Sequence, residues 1–283
     1  MKRCCFLSMD DMAGYVSDDD LAIGPMKSLG WSVETRSWRD RAANWDLFDL
    51  AVIRTTWDYQ KHPCEFIEFL QGIDESKARL ENPLDIVKWN LDKRYLRDIE
   101  QSNVRIVPTI WDAEYTAGNF ASWLASFETD ELIVKPTVSA TAQNTFRLKK
   151  FDPALIEVFA ELPFLVQPFL KTIVDEGEYS LFFFNGELSH TILKAPKPGD
   201  FRVQEEHGGL ITRIEADAGL RGAAQKAIDA IGQRLLYARV DLVRHIDDEF
   251  ALMELELIEP ALYLRMDESA PERFAMAIDA LVK

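Results

Sequence analysis

The stretch Ala238-Arg239-Val240-Asp241-Leu242-Val243, followed after the acidic turn Asp247-Asp248-Glu249 by Met253-Glu254-Leu255-Glu256-Leu257-Ile258-Glu259-Pro260, decides how this chain is read. Successive side chains of a strand point to opposite faces, so Leu255 and Leu257 share a core face while Glu254 and Glu256 share the other. Arg239 and Asp241, also two apart, share a face of the preceding strand. Laid antiparallel, the two strands would gather Asp241, Glu254 and Glu256, a set of hard oxygen donors suited to Mg²⁺ shared with phosphate oxygens. The alternative is an outward face of solvated acids. Glu259, one residue before Pro260, is a further candidate carboxylate. Acids gathered without cations between them repel, so removing Glu254 is expected to leave the fold as stable or more so.

Cations stand at the ends of predicted elements. Lys93 lies in the first turns of a helix read over Trp89–Gln101, with Asn90 as its cap. Lys135 ends the apolar strand Glu131–Lys135, where a lysine must snorkel or meet an anion. Lys194 and Arg202 flank a Pro/Gly-rich loop. Each alone reads as a surface cation; together, in a chain of net charge −16, they suggest a site for a polyanion.

The first eighty residues alternate strand and helix signals: strands at Cys4–Met9, Trp31–Trp38 and Leu47–Arg54, with a helix between the first two capped by Asp18-Asp19-Asp20. That alternation implies a parallel sheet with ligands near the carboxyl ends of its strands, which makes Arg54, Trp57 and Asp58 substrate-pocket candidates. Trp57 reads equally well as a packing residue. Further on, Val104–Pro108 is read as a strand. Glu178–Phe184 and Leu188–Lys194 meet across Asn185-Gly186 as a hairpin. A helix is read over Leu220–Leu236 and a closing one over Pro271–Val282. The expected organisation is an α/β region at 1–82, then α+β subdomains at 83–170 and 171–283.

Composition narrows the function. An apolar fraction of 47% suffices for a real core. A surplus of 48 acids over 32 bases argues against gripping a nucleic-acid backbone. No apolar run reaches transmembrane length and the amino terminus does not read as a signal peptide, so a cytoplasmic protein is expected. Cys4, Cys5 and Cys64 suit neither a disulfide framework nor zinc. The chain carries no GxxxxGK[ST] loop, HExxH, GxSxG or dinucleotide fingerprint, so carboxylates and cations must carry any chemistry.

In their order these pieces resemble the ATP-grasp superfamily of carboxylate–amine ligases, near D-alanine–D-alanine ligases and glutathione synthetases. That family has an Arg-x-Asp strand and then a Glu-x-Asn strand thirteen residues after the Asp; here Glu254 stands at that spacing, with Glu256 in the Asn place. Lys93 and Lys135 are similar to its two ATP lysines. Val166-Gln167-Pro168-Phe169 is similar to the hinge whose backbone reads adenine, and Glu178 to the carboxylate that binds ribose. Arg202 is similar to the arginine facing the transferred phosphate. The stretches VIRTTWDY (52–59), NPLDIVKWNLDKRYL (82–96) and MELELIEP (253–260) are most similar to a subgroup that includes the D-cycloserine-forming ligase. The resemblance covers roughly residues 80–283 closely and the first eighty more loosely.

The resemblance implies an ATP-grasp fold and an ATP-dependent ligase that activates a small carboxylate as an acyl phosphate and couples it to an amine. It implies Asp241, Glu254 and Glu256 on two Mg²⁺ ions, with Mn²⁺ as an alternative, and Lys93, Lys135, Gln167, Phe169 and Glu178 around ATP. Arg202 and Arg239 would serve catalysis. The partners are small-molecule substrates, with no nucleic acid or membrane, and a homodimer is left open. The competing readings are a small-molecule kinase on the same fold and a non-catalytic nucleotide-binding module. Two departures stand out: Glu256 in place of Asn, and a nucleotide-covering loop, Val138–Asn144, without glycine.

Overall fold

A computed structural model describes residues 1–139 and 143–282. The amino-terminal part comprises β1 (Lys2–Ser8), α1 (Asp20–Ser28), β2 (Trp31–Ser37), β3 (Leu50–Thr55), α2 (Pro63–Asp74) and β4 (Arg79–Glu81). The strands form a parallel sheet in the order β2-β1-β3-β4. β3 is buried along its whole length, as an apolar strand covered on both faces must be. α2 starts with Pro63, whose missing N–H costs nothing in a first turn, and buries Phe66, Phe69, Leu70 and Ile73 at helical spacing. Asp19 does sit at the start of α1, but its carboxylate does not cap the helix; it accepts from Arg54 instead.

The middle part contains α3 (Leu84–Asn90), α4 (Tyr95–Gln101), β5 (Ile110–Trp111), α5 (Ala117–Ser126), β6 (Leu132–Pro136), β7 (Phe146–Leu148), α6 (Ile156–Glu161) and β8 (Phe164–Pro168). Its antiparallel sheet runs β5-β8-β6-β7. The single helix expected over Trp89–Gln101 is broken. Asn90 ends α3 and turns its amide inward, donating to the Leu255 carbonyl at 2.8 Å and accepting from Leu257 N at 3.0 Å. Lys93 falls in the break, its N–H held by the Thr137 carbonyl at 2.8 Å. Of the strand expected at Val104–Pro108, an isolated Ile106–Leu252 bridge remains.

The last part contains α7 (Thr172–Asp175), β9 (Glu178–Phe184), β10 (Glu187–Ala195), β11 (Leu210–Ile214), α8 (Ala218–Ala230), β12 (Tyr237–Arg244), β13 (Phe250–Glu256) and α9 (Ala270–Asp279). Its sheet runs β11-β10-β9-β12-β13, antiparallel throughout. The β9–β10 hairpin turns at Asn185-Gly186, where both residues take positive φ, +50° and +80°, as a primed turn requires. α8 stops earlier than expected, and Gly232 leaves it at φ +75°. The first and last sheets share one core, in which Phe6, Leu50 and Val52 meet Phe182, Tyr237 and Phe274. The Tyr237 hydroxyl lies 2.7 Å from both the Ile53 and Ile258 carbonyl oxygens, which fixes the carboxyl end of β3 beside the residues that follow β13.

Candidate active site

One cleft is lined by β6 and β8 of the middle sheet, by β9, β10, β12 and β13 of the last sheet, and by Trp57 and Tyr59 from the loop after β3. The strand register decides which side chains meet in it. Asp241 pairs directly with Glu254, and Arg239 with Glu256, so all four side chains share one face. On the other side of β9, Lys194 pairs with Glu178.

The acids do not cluster alone; cations are interleaved with them. The Arg239 guanidinium embraces Asp241 with three contacts of 2.9–3.1 Å and also meets Glu256. Lys194 lies 3.4 Å from Asp241 and is ion-paired with Glu178, while the Ser180 hydroxyl bonds Asp241 from the neighbouring strand. Lys93 lies 3.2 Å from Glu254 and donates to the Ser139 carbonyl at 2.6 Å. Lys135, 8% exposed, lies near Glu254 with no ion-pair contact among the described residues.

The titration behaviour follows from this arrangement. Burial would raise the Asp241 and Glu254 carboxyls, but Arg239 and Lys194 hold the first below its ordinary range, and Lys93 and Lys135 do so for the second. Burial pushes Glu259 up to about 8, with Glu256 adding to the push and the Tyr59 hydroxyl, Arg239 and Lys93 opposing it. Glu256 itself rises to about 7, chiefly by desolvation, against the pull of Arg239. Glu178 rises through burial despite Lys194, and Lys135 is lowered by burial.

Around the other end of the cleft, the Phe169 N–H donates to the Glu131 carbonyl at 2.9 Å, and the Arg147 guanidinium stacks 3.6 Å over the Phe169 ring. The Gln167 side chain donates to Thr109 Oγ1 at 3.0 Å, which ties β8 to the chain just before β5. Phe201 meets Phe169 edge-on, bringing the loop that carries Arg202 over this end. Arg202 stands at the rim, bound to Asp200 at 2.8 Å and apart from the inner ion pairs.

Ten of the sequence-predicted site residues thus line one cleft: Lys93, Lys135, Gln167, Phe169, Glu178, Arg202, Arg239, Asp241, Glu254 and Glu256. Of the three expected pocket residues, Trp57 joins them and Arg54 and Asp58 do not. Arg54, 1% exposed, binds Asp19 and the Pro260 carbonyl at 2.8 Å. Asp58 is turned away to the Trp38 indole N–H at 2.7 Å and to Arg39. Of the covering loop, Ala140–Ala142 lie outside the described residues. Glu259 and Lys194, read from the sequence as a candidate carboxylate and a candidate cation, line the cleft as well, and the structure adds Tyr263, held at φ +46° beside the ion pairs.

The fit to Mg²⁺ rests on donor chemistry. Glu254 and Glu256 present oxygens to the cleft, while Asp241 behind them is wrapped by Arg239, Lys194 and Ser180. Among the described residues no three acidic, His or Cys side chains are grouped so as to hold a metal ion by themselves. The oxygen set nevertheless suits a hard divalent ion that arrives with phosphate oxygens as its remaining ligands. Among the described residues no helix is long and apolar enough to cross a membrane.

Comparison with known proteins bears on this geometry. The family described as D-cycloserine synthetase DcsG, N-terminal domain, matches residues 4–82. The cycloserine biosynthesis protein DcsG of Streptomyces lavendulae is 30% identical over 275 residues, 91% of each chain. A glutathione synthetase of Prochlorococcus marinus (strain MIT 9313) is 28% identical over 173 residues, 58% of this chain and 53% of that one. The crystal structure of D-cycloserine synthetase DcsG matches with a TM-score of 0.85 and 27% identity, over 99% of this chain and 100% of the other. With a relative this similar along nearly its whole length, the chain belongs to the ATP-grasp ligases, in the D-cycloserine synthetase subgroup, and is an ATP-dependent carboxylate–amine ligase.

Proposed function

We propose that the cleft transfers the γ-phosphoryl group of ATP to the carboxylate of a small amino-acid-like substrate, and that an amine then displaces phosphate from the acyl phosphate. The observation that carries this reading is the row of Lys93, Lys135, Arg239 and Lys194 interleaved with acids along one cleft wall. Phosphoryl transfer asks a protein for positioning and charge neutralisation, and no side-chain nucleophile is needed. Lys93 and Lys135 hold the ATP phosphates, and the backbone around Phe169 receives the adenine. Glu178, kept beside Lys194, faces the ribose. Arg202 turns inward from the rim to the transferred phosphate, and Arg239 steadies the charge that builds on the carbonyl oxygen as the amine attacks. Glu254 and Glu256, with Asp241 behind them, would hold Mg²⁺, which when bound neutralises phosphate charge.

The relative's name points to a ring product. A ring forms when the activated carboxyl and the attacking nitrogen belong to one molecule, so we take intramolecular closure as the preferred form of the reaction here. The test is release of free phosphate in step with ADP across a panel of amino acids and amines, with hydroxylamine added to trap the activated carboxyl as a hydroxamate. A stable phosphorylated product with no free phosphate, while ADP accumulates, would establish a kinase instead.

A further inference from the structure

Glu259 lines the cleft beside Trp57, Tyr59 and Tyr15, and the charge network on the phosphate side leaves it out. Asp241, Glu254, Glu256 and Glu178 each meet a lysine or an arginine. Among the described residues Glu259 meets none, and the only other cleft acid in that position is Glu206, exposed at the rim. The groups that hydrogen-bond to its carboxyl are neutral, while the charges of Glu256, Arg239 and Lys93 act on it without an ion-pair contact. Gln60 Nε2 donates to its Oε1 at 3.1 Å, and the Tyr59 hydroxyl faces its carboxyl. Its backbone carbonyl accepts the Trp57 indole N–H at 2.9 Å, which fixes that ring at the same corner, and the Tyr15 ring lies 5.6 Å from it.

Neutral donors supply only part of what a carboxylate loses when it leaves water, and the missing part is a countercharge. Aromatic faces add attraction for a cation and none for an anion. Resting on the ligase reading above, we propose that this corner is the amino subsite: Glu259 holds the ammonium group of an amino-acid substrate against Trp57 and Tyr15, while the carboxyl to be activated lies toward Arg239. The position suits this division of labour, because Glu259 follows the strand that carries Glu254 and Glu256 and is tied to the Trp57 loop of the first sheet. The enzyme should therefore discriminate against acids that lack a free amino group.

The test titrates the whole enzyme, loaded with Mg·AMPPNP, with three matched pairs: D-alanine and propionate, D-serine and 3-hydroxypropionate, D-cycloserine and isoxazolidin-3-one. In at least one pair the amine-bearing member should bind about tenfold tighter or more, as a hydrogen bond to a charged group allows. Glu259→Gln keeps the shape and the contacts to Gln60 and Tyr59 but removes the charge, so it should erase that preference while Mg·AMPPNP binding persists. Glu259→Asp should restore part of it. In steady state the Gln variant should raise KM for the amino acid more than it lowers kcat, whereas a residue that removes a proton from the attacking amine would lower kcat. Equal binding within every pair, binding of no pair member while Mg·AMPPNP binds, or a preference retained by Glu259→Gln would overturn the proposal. Failure of Mg·AMPPNP to bind would retire the ligase reading together with it.

Discussion

The Arg239 guanidinium and the Asp241 carboxylate, two residues apart on β12, are locked to each other: Nε lies 3.1 and 3.0 Å from the two carboxylate oxygens and Nη2 2.9 Å from Oδ2. Both groups are buried, and each has one further countercharge, Lys194 for Asp241 and Glu256 for Arg239. Arg239→Met should leave Asp241 buried beside Lys194 alone and cost about 3 kcal/mol of stability, as breaking buried pairs does. Arg239→Lys keeps a charge but loses the fork, and kcat/KM should fall roughly tenfold or more. Urea unfolding and phosphate-release kinetics on the two variants check both statements.

Lys135 is buried by β6 without an ion-pair contact among the described residues, and burial lowers its pKa. Such a charge destabilises the empty protein. Lys135→Met should therefore raise the melting temperature of the empty enzyme or leave it unchanged, and should shrink the rise produced by saturating Mg·ATP. A variant that loses stability when empty yet keeps the full Mg·ATP shift would remove Lys135 from the phosphate site.

For Glu254 the structure reverses the sign expected from a cluster of acids. Its neighbours are Lys93 at 3.2 Å and Lys135, so deleting it leaves two lysines facing each other. Glu254→Ala should lower the melting temperature of the empty enzyme and abolish turnover, whereas relief of acid repulsion would raise it. Differential scanning calorimetry without nucleotide decides between the two.

The Glu259 carboxyl titrates near 4.5 when unfolded and is pushed up to about 8 in the fold. Between those values the folded chain holds a proton that the unfolded chain has released, so stability falls as pH rises through that window. This contribution is full below about pH 4.5 and gone above about pH 8. The urea midpoint of Glu259→Gln, measured against wild type from acid to mildly alkaline pH, should lose part of that decline. Identical slopes for the two proteins would show that the carboxyl titrates in its ordinary range.

Arg54→Met tests whether the end of β3 is structural. Arg54 binds Asp19 and the Pro260 carbonyl, and its loss strands a buried carboxylate. Stability should drop by about 3 kcal/mol while the KM for ATP stays near wild type. A large change in ATP affinity at unchanged stability would return Arg54 to the cleft.

Much of this was legible from residue order, because alternation along a strand is local. The spacing of Arg239, Asp241, Glu254 and Glu256 places them on shared faces whatever surrounds them, and the apolar runs of β1 and β3 with the helix between β1 and β2 imply a parallel sheet. The Asn185-Gly186 turn dictates its hairpin through the positive φ it tolerates. Pairing between distant segments is not local. Counting back from that turn sets Lys194 opposite Gly177; a bulge between Leu188 and His190 shifts the register by one residue and sets it opposite Glu178, beside Asp241. Asn90 looked like a helix cap, but two backbone groups of the chain around β13, 165 and 167 residues away, claimed its amide and broke the helix at Lys93. Arg54 and Asp58 stood at a strand's carboxyl end, yet Asp19, Pro260, Trp38 and Arg39, brought close only by folding, drew them out of the cleft. Residue order thus determined which face each charge would occupy, and tertiary packing alone decided its partner, since the energy of a buried charge depends on whatever lies within a few ångströms of it.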